Sequence, residues 1–194
     1  MSETTQRVFL VRHGETEWSL HRKHTGLTDI PLTDNGRSDA RKLRPVLARE
    51  KFDLVLVSPL KRARETCDLA GFGSIASVDE NLREWNYGDY EGLTTQQIRA
   101  TSPNWQLFDD GCPGGETPAD VGARVDRVIE RTRGINGDIA LFAHGHLLRV
   151  LAARWIGLSV AAGAFFELDT ATLSVLGSYD GINTIERWNS SIDT

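Results

Sequence analysis

The sequence predicts a three-layer α/β/α domain with a mostly parallel central sheet, and three short apolar runs carry that prediction. Val8 to Val11, Leu54 to Val57 and Ile139 to Ala143 are each continuous and apolar, the pattern of a strand covered on both faces. Helical periodicity fills the intervening stretches, so strands and helices alternate as a parallel sheet requires. At 194 residues the chain suits a single domain, expected over residues 7–190 behind a flexible N-terminus of residues 1–6.

The first run ends in Arg12-His13 and opens a polar loop to about residue 32. Within it His21 and His24, flanking Arg22 and Lys23, read as a solvated charged loop. Thr33 then caps a helix over roughly 34–49, with Ala40, Leu43 and Leu47 on its inner face and Pro45 predicting a kink or early break. After the second run, Ser58 reads as a helix cap and Pro59 as the first helical residue. Leu60, Ala63, Cys67 and Ala70 then form a buried stripe that stops at Gly71.

Residues 72–93 are irregular apart from a short strand near Ile75 to Val78, and Leu82 to Gly92 is dense in aromatic and acidic side chains, as functional loops are. A short helix is expected over 94–101. Thr117-Pro118-Ala119-Asp120 is a strong helix start, with Val121, Val125, Val128 and Thr132 facing inward until Gly134. The third run precedes a helix over about 147–156. Leu173 to Tyr179 and Asn183 to Trp188, separated by Asp180-Gly181, form a terminal hairpin.

Bulk composition narrows the function. With 22 basic and 27 acidic residues the net charge is −5, which argues against nucleic acid or an anionic membrane as the main partner. No apolar stretch approaches a membrane span and no signal-peptide pattern precedes Val8, so the cytoplasm is the expected compartment. Cys67 and Cys112 are expected as free thiols. Neither has an arginine six positions on, where Gly73 and Pro118 stand, so the thiolate-phosphatase loop is excluded.

The chemistry-bearing residues follow the apolar runs. In open α/β sheets the carboxyl ends of the strands face one crevice, so Arg12, His13, Arg62 and His144 can converge there although far apart in sequence. A histidine at that place can attack phosphorus with one ring nitrogen while a backbone carbonyl holds the other, and arginines can grip phosphate oxygens. His144-Gly145-His146 also reads as a pair of metal ligands, but no carboxylate or cysteine stands at ligand spacing beside it, and no metal site is expected.

Arg12-His13-Gly14-Glu15-Thr16, Leu32-Thr33, Ser58-Pro59-Leu60, Arg62-Ala63, Leu82-Arg83-Glu84, Glu91-Gly92 and His144-Gly145, in this order, resemble the histidine phosphatase superfamily, also called phosphoglycerate-mutase-like. The resemblance implies that fold, a nucleophilic His13, a general acid at Glu84 and a phosphate pocket of Arg12, Arg62 and His144, the last a third cation if protonated. It also implies that Ser19, Thr25, Gly26, Tyr87, Gly145 and His146 line the pocket and that Arg149 meets a second phosphate. No cofactor follows, and the expected partner is a small phosphorylated substrate, with the oligomeric state open and a homodimer in view.

His24 to Asp29 and Arg83 to Gly92 are most similar to the sedoheptulose-bisphosphatase and acid-phosphatase type, although His24 replaces the tyrosine or glutamine common there. A phosphatase of sugar phosphates or bisphosphates is therefore expected. The alternatives are a phosphoglycerate mutase, against which Glu84-Trp85-Asn86-Tyr87 stands in place of Glu-Arg-His-Tyr, and a non-catalytic phosphate or phosphoprotein binder, which needs neither His13 nor Glu84.

Overall fold

The computed structural model describes residues 6–192. Most of the N-terminal segment expected to be flexible lies outside these residues, while the amide of Gln6 donates to the carbonyls of Thr132 and Ile135. Strands β1 (Val8–Arg12), β2 (Phe52–Val57), β3 (Ser77–Val78), β4 (Asp138–Ala143), β5 (Leu173–Tyr179) and β6 (Ile182–Ser190) form one sheet in the order β3-β2-β4-β1-β5-β6. The first four pair in parallel, and the terminal hairpin β5–β6 adds on antiparallel through β1. This is a single α/β domain with a mostly parallel six-stranded sheet flanked by helices, as the sequence predicts.

Alternation along the strands separates two cores. Phe9, Val11, Val55, Val57, Ala140 and Phe142 pack against Leu43 and Leu47 of helix α2 (Asp34–Leu47) and Ala63 and Cys67 of helix α3 (Lys61–Leu69). Val8, Leu10, Leu56, Ile139 and Leu141 face the other way, onto Val121, Val125 and Val128 of helix α6 (Pro118–Arg133) and Leu147, Leu148 and Leu151 of helix α7 (Gly145–Trp155). Each fully buried leucine or valine contributes about 1.5–3 kcal/mol relative to exposure. Short helices α1 (Glu17–Leu20), α4 (Thr95–Thr101) and α5 (Leu107–Asp110) lie in the connections.

The predicted elements appear with three informative shifts. Helix α2 runs through Pro45 and ends at Leu47, two residues past the proline, so the early break falls just after it rather than at it. Helix α3 starts at Lys61, with Leu60 at its cap and no side-chain cap bond, so Ser58 and Pro59 stand outside it. Helix α7 starts at Gly145, two residues earlier than its apolar periodicity indicates, which brings its N-terminus directly to His144.

Register sets the site. Arg12 pairs with Ala143 and Val57 with Phe142, so three parallel strands end nearly level. The chain beyond them stays in step, since His13 N–H donates to Ala143 O and Ser58 N–H to Phe142 O, each at 3.0 Å. His13, Ser58 and His144 are thereby brought abreast.

The start of α2 braces the loop behind His13. Thr33 N–H donates to Glu15 O at 2.9 Å and its hydroxyl to Glu15 Oε1 at 2.6 Å. A Cβ added at Gly14 would sit 2.5 Å from Gly36 O, and one at Gly36 would overlap the Glu15 carbonyl. Gly36→Ala should therefore push backbone against backbone and lower stability by about 1–3 kcal/mol, the usual range for overpacking. Urea unfolding followed by circular dichroism measures this, and an unchanged midpoint would show that the helix and loop are not in obligatory contact.

Candidate functional site

A cleft of about 850 Å³ opens at the carboxyl ends of β1 and β4, within the size range of small-molecule sites. Arg12, His13, Ser19, Thr25, Glu84, Tyr87, Gly145, His146 and Arg149 all line it. Arg62 and His144 stand just behind that lining, fully buried. Gly26 is not on the wall; its carbonyl accepts from Arg62 Nη2 at 2.8 Å, alongside Thr25 O at 3.0 Å and Thr28 O to Nη1 at 3.1 Å.

His13 is 4% exposed, and its Nδ1–H donates to Gly14 O at 2.7 Å. That bond leaves Nε2 as the free lone pair. Burial, then the charges of Arg62 and Arg12, hold this imidazole well below its ordinary range, so the ring is neutral near pH 7.

His144 lies 5.2 Å from His13 between ring centroids and is also held well below its ordinary range, by burial first and then by Arg62, His13 and Arg12. These causes favour the uncharged ring, whereas the resemblance makes His144 a third cation only if protonated. Its Nε2 is 2.7 Å from Ser58 Oγ, which also accepts from Leu60 N–H. With the serine proton given to Nε2, the histidine proton resides on Nδ1, and Nδ1 has no partner. Ser58, read from sequence as a helix cap, instead faces His144 across the strand ends.

Two more buried donors share that condition: Arg12 Nε and Arg62 Nε have no acceptor. Buried donors are nearly always paired, so three unpaired ones around one histidine, counted among the described residues, are an arrangement able to take an anion. Arg12 is steadied by the Leu168 carbonyl, to which Nη1 donates, and by Gly145, where an added Cβ would lie 3.2 Å from its Cζ and Nε.

Glu84 is 5% exposed and sits at the N-terminus of α7. Its Oε1 accepts from Trp85 N–H and Leu147 N–H at 2.9 Å each, and Oε2 from His146 N–H at 3.1 Å. Its orientation is fixed, Oε2 keeps free acceptor capacity, and the positive end of α7 faces any charge it carries. Beyond it, Tyr87 Oη lies 2.5 Å from His146 Nδ1. Trp85 packs in the core with Nε1–H donated to Glu116 O.

The charged loop reading holds for exposed His21 but not for His24, which is 8% exposed and lines the cleft. Its burial depends on Leu93, whose carbonyl accepts both the backbone and ring N–H of His24 at 2.8 Å. Glu167, Leu168, Asp169 and Thr170 also line the cleft and carry no motif by which sequence could find them. Ser19 reaches the cleft, but its hydroxyl is engaged in the capping box of α1. Burial pushes both thiols, Cys67 and Cys112, up to about 12, so neither offers a thiolate. Among the described residues no group of three or more His, Cys, Asp or Glu side chains is placed to hold a metal ion, and no helix is long and apolar enough to cross a membrane.

The family model of the histidine phosphatase superfamily (branch 1) matches residues 8–191. An acid phosphatase of Mycobacterium tuberculosis is 38% identical over 95% of this chain and 93% of its own length. A sedoheptulose 1,7-bisphosphatase of Saccharomyces cerevisiae is 36% identical over 82% of this chain and 71% of its own, and phosphoglycerate mutases are also among the relatives. The solved structure of a Mycobacterium tuberculosis open reading frame product superposes with a TM-score of 0.93 at 36% identity, covering 97% of this chain and 99% of that one. The chain belongs to the histidine phosphatase superfamily, and it is a phosphoric monoester hydrolase acting on phosphorylated substrates.

The site makes stability depend on pH with a definite sign. His13, His24, His144 and His146 are all held below the ordinary imidazole value, burial being the first cause in each. As pH falls through about 6.5, the unfolded chain takes up protons that the folded chain refuses, so stability is complete above that pH and is lost below it. The loss is at most about 1.4 kcal/mol per pH unit for each histidine. In phosphate-free buffer the thermal midpoint should fall between pH 7.5 and 5.5 and recover in part on adding inorganic phosphate. A midpoint that is flat over this interval and indifferent to phosphate would contradict the buried neutral histidines.

Proposed function

We propose that the protein is a metal-independent phosphomonoesterase that works through a phosphohistidine on His13, with small sugar phosphates or bisphosphates as substrates. The observation that carries this reading is the ring of unpaired donors, Arg12 Nε, Arg62 Nε and His144 Nδ1, about a histidine whose Nδ1 is tied to Gly14 O. Such donors suit the equatorial oxygens of a transferring phosphoryl group, where catalysis is mostly positioning and charge stabilisation.

The steps balance on this chain's own groups. Nε2 of His13 forms a bond to phosphorus as the ester P–O bond breaks, and protonated Glu84 gives its proton to the departing alkoxide. The carboxylate so formed faces the positive end of α7. A water then attacks the phosphohistidine, losing its proton to Glu84, and phosphate leaves with the His13 lone pair restored.

The similar acid phosphatase and sedoheptulose 1,7-bisphosphatase support hydrolysis of small phosphate esters. Arg149 supports room for a second phosphate: Nε and Nη2 hold the Gly163 and Ala164 carbonyls, leaving Nη1 without a partner among the described residues. A mutase must shield its phosphorylated state from water. The cleft here is walled on one side by the exposed segment of Leu20, Arg22 and Lys23, which favours water as the acceptor.

Phosphate release from a panel of sugar mono- and bisphosphates, 3-phosphoglycerate and p-nitrophenyl phosphate tests the reading. His13→Ala should lower kcat by at least about a thousandfold on every active ester. Glu84→Gln should cost about a hundredfold in kcat/KM on alkyl esters and under about tenfold in kcat/KM on p-nitrophenyl phosphate, whose leaving group needs no proton. Equal losses on both ester classes would remove Glu84 from the acid role. Isomerised phosphoglycerate without phosphate release would favour the mutase, and no turnover the binder.

A further inference from the structure

Beyond the phosphate socket, the cleft wall carries a second pair of ring nitrogens that the phosphoryl chemistry does not use. His24 and His146 stack nearly parallel, 5.9 Å apart at 11°. The tautomer of each follows from its partner. His24 Nδ1 faces the Leu93 carbonyl at 2.8 Å, which can only accept, so Nδ1 carries the proton. Its Nε2 has no protein partner among the described residues, and the ring lines the cleft. Tyr87 is 1% exposed, and among the described residues its hydroxyl has His146 Nδ1 as its only hydrogen-bond partner, so the phenol proton is satisfied by donating there. That places the His146 proton on Nε2. Side by side, the wall then offers one acceptor and one donor, both uncharged.

We propose, building on the phosphatase reading, that His24 and His146 form a hydroxyl-reading pair that selects polyol phosphates, His24 Nε2 accepting from a substrate hydroxyl and His146 Nε2–H donating to one. A hydroxyl both gives and takes hydrogen bonds, so it satisfies this wall. A carboxylate or phosphate dianion has no proton for His24 Nε2 and meets its lone pair. Burial holds both rings in the neutral form that this complementarity requires. The pair is also rigid: His24 has edge contacts from Tyr87 at 4.9 Å and Trp105 at 5.5 Å, and His146 from Phe108 at 5.4 Å. A rigid site built to bond a hydroxyl favours it over an analogue lacking one, because an alkyl group displaces cleft water from these nitrogens without replacing its hydrogen bonds.

The test compares kcat/KM for phosphate esters of equal chain length with and without hydroxyls: glycerol 3-phosphate against n-propyl phosphate, and ribitol 5-phosphate against n-pentyl phosphate. The hydroxylated member should be preferred by roughly ten- to hundredfold in at least one pair. His24→Phe, which keeps a ring but no acceptor, should collapse that ratio, and His24→Gln, whose amide oxygen accepts, should restore most of it. Equal kcat/KM within both pairs, or a preference that survives His24→Phe, would overturn the inference. Two-bond ¹H–¹⁵N NMR of the unaltered protein serves should a variant not fold. It should find His24 protonated on Nδ1, and a proton on Nε2 instead would overturn the inference. Turnover of p-nitrophenyl phosphate without any hydroxyl preference sinks this inference alone, whereas no turnover of any ester sinks the phosphatase reading with it.

Discussion

Buried hydrogen-bond donors with no acceptor are costly, on the order of 1–3 kcal/mol each, and this fold holds three of them around one imidazole. Everything nearby serves to keep them there. Left to itself the chain would relax by turning Arg12, Arg62 or His144 toward carbonyls or solvent. Arg62 is prevented by the Thr25, Gly26 and Thr28 carbonyls, Arg12 by the Leu168 carbonyl and the start of α7, and His144 by Ser58. An anion that supplies the missing acceptors would recover this cost, and the proposed phosphoryl site rests on that.

The sheet makes such an arrangement affordable because its ends are level and stiff. The pairings of Arg12 with Ala143 and of Val57 with Phe142 fix three chain segments to one another through backbone bonds, before any side chain is considered. Two dry cores then clamp the strands from either side. Helix α7 adds a directional element: its first N–H groups hold Glu84, so the proposed acid and the socket share one support.

Much of this was legible in the sequence, for physical reasons that can be named. The buried strands announce themselves as continuous apolar runs, and α6 by its Thr117-Pro118 start and inward valines, because both signals are local. His13, Arg12, Arg62 and His144 could be brought together because strand ends in an open sheet share a crevice. What stayed hidden depends on contacts between distant segments. Ser58 next to Pro59 has the local grammar of a helix cap, and only the neighbouring β4 shows that its hydroxyl faces His144. His24 stands among charged residues and reads as solvated until Leu93 folds over it. The loop from Glu167 to Thr170 has no periodicity or motif, yet it forms a wall of the cleft.

The central claim is that Nε2 of His13 becomes a transient carrier of the phosphoryl group. Millisecond quenching of the unaltered protein with ³²P-labelled p-nitrophenyl phosphate, followed by alkaline digestion and mass spectrometry of the acid-labile adduct, tests it most directly. The account predicts a stoichiometric burst of label on the peptide bearing His13, attached at Nε2. Label on any other residue, or steady-state release of phosphate with no adduct formed at any time, would contradict it.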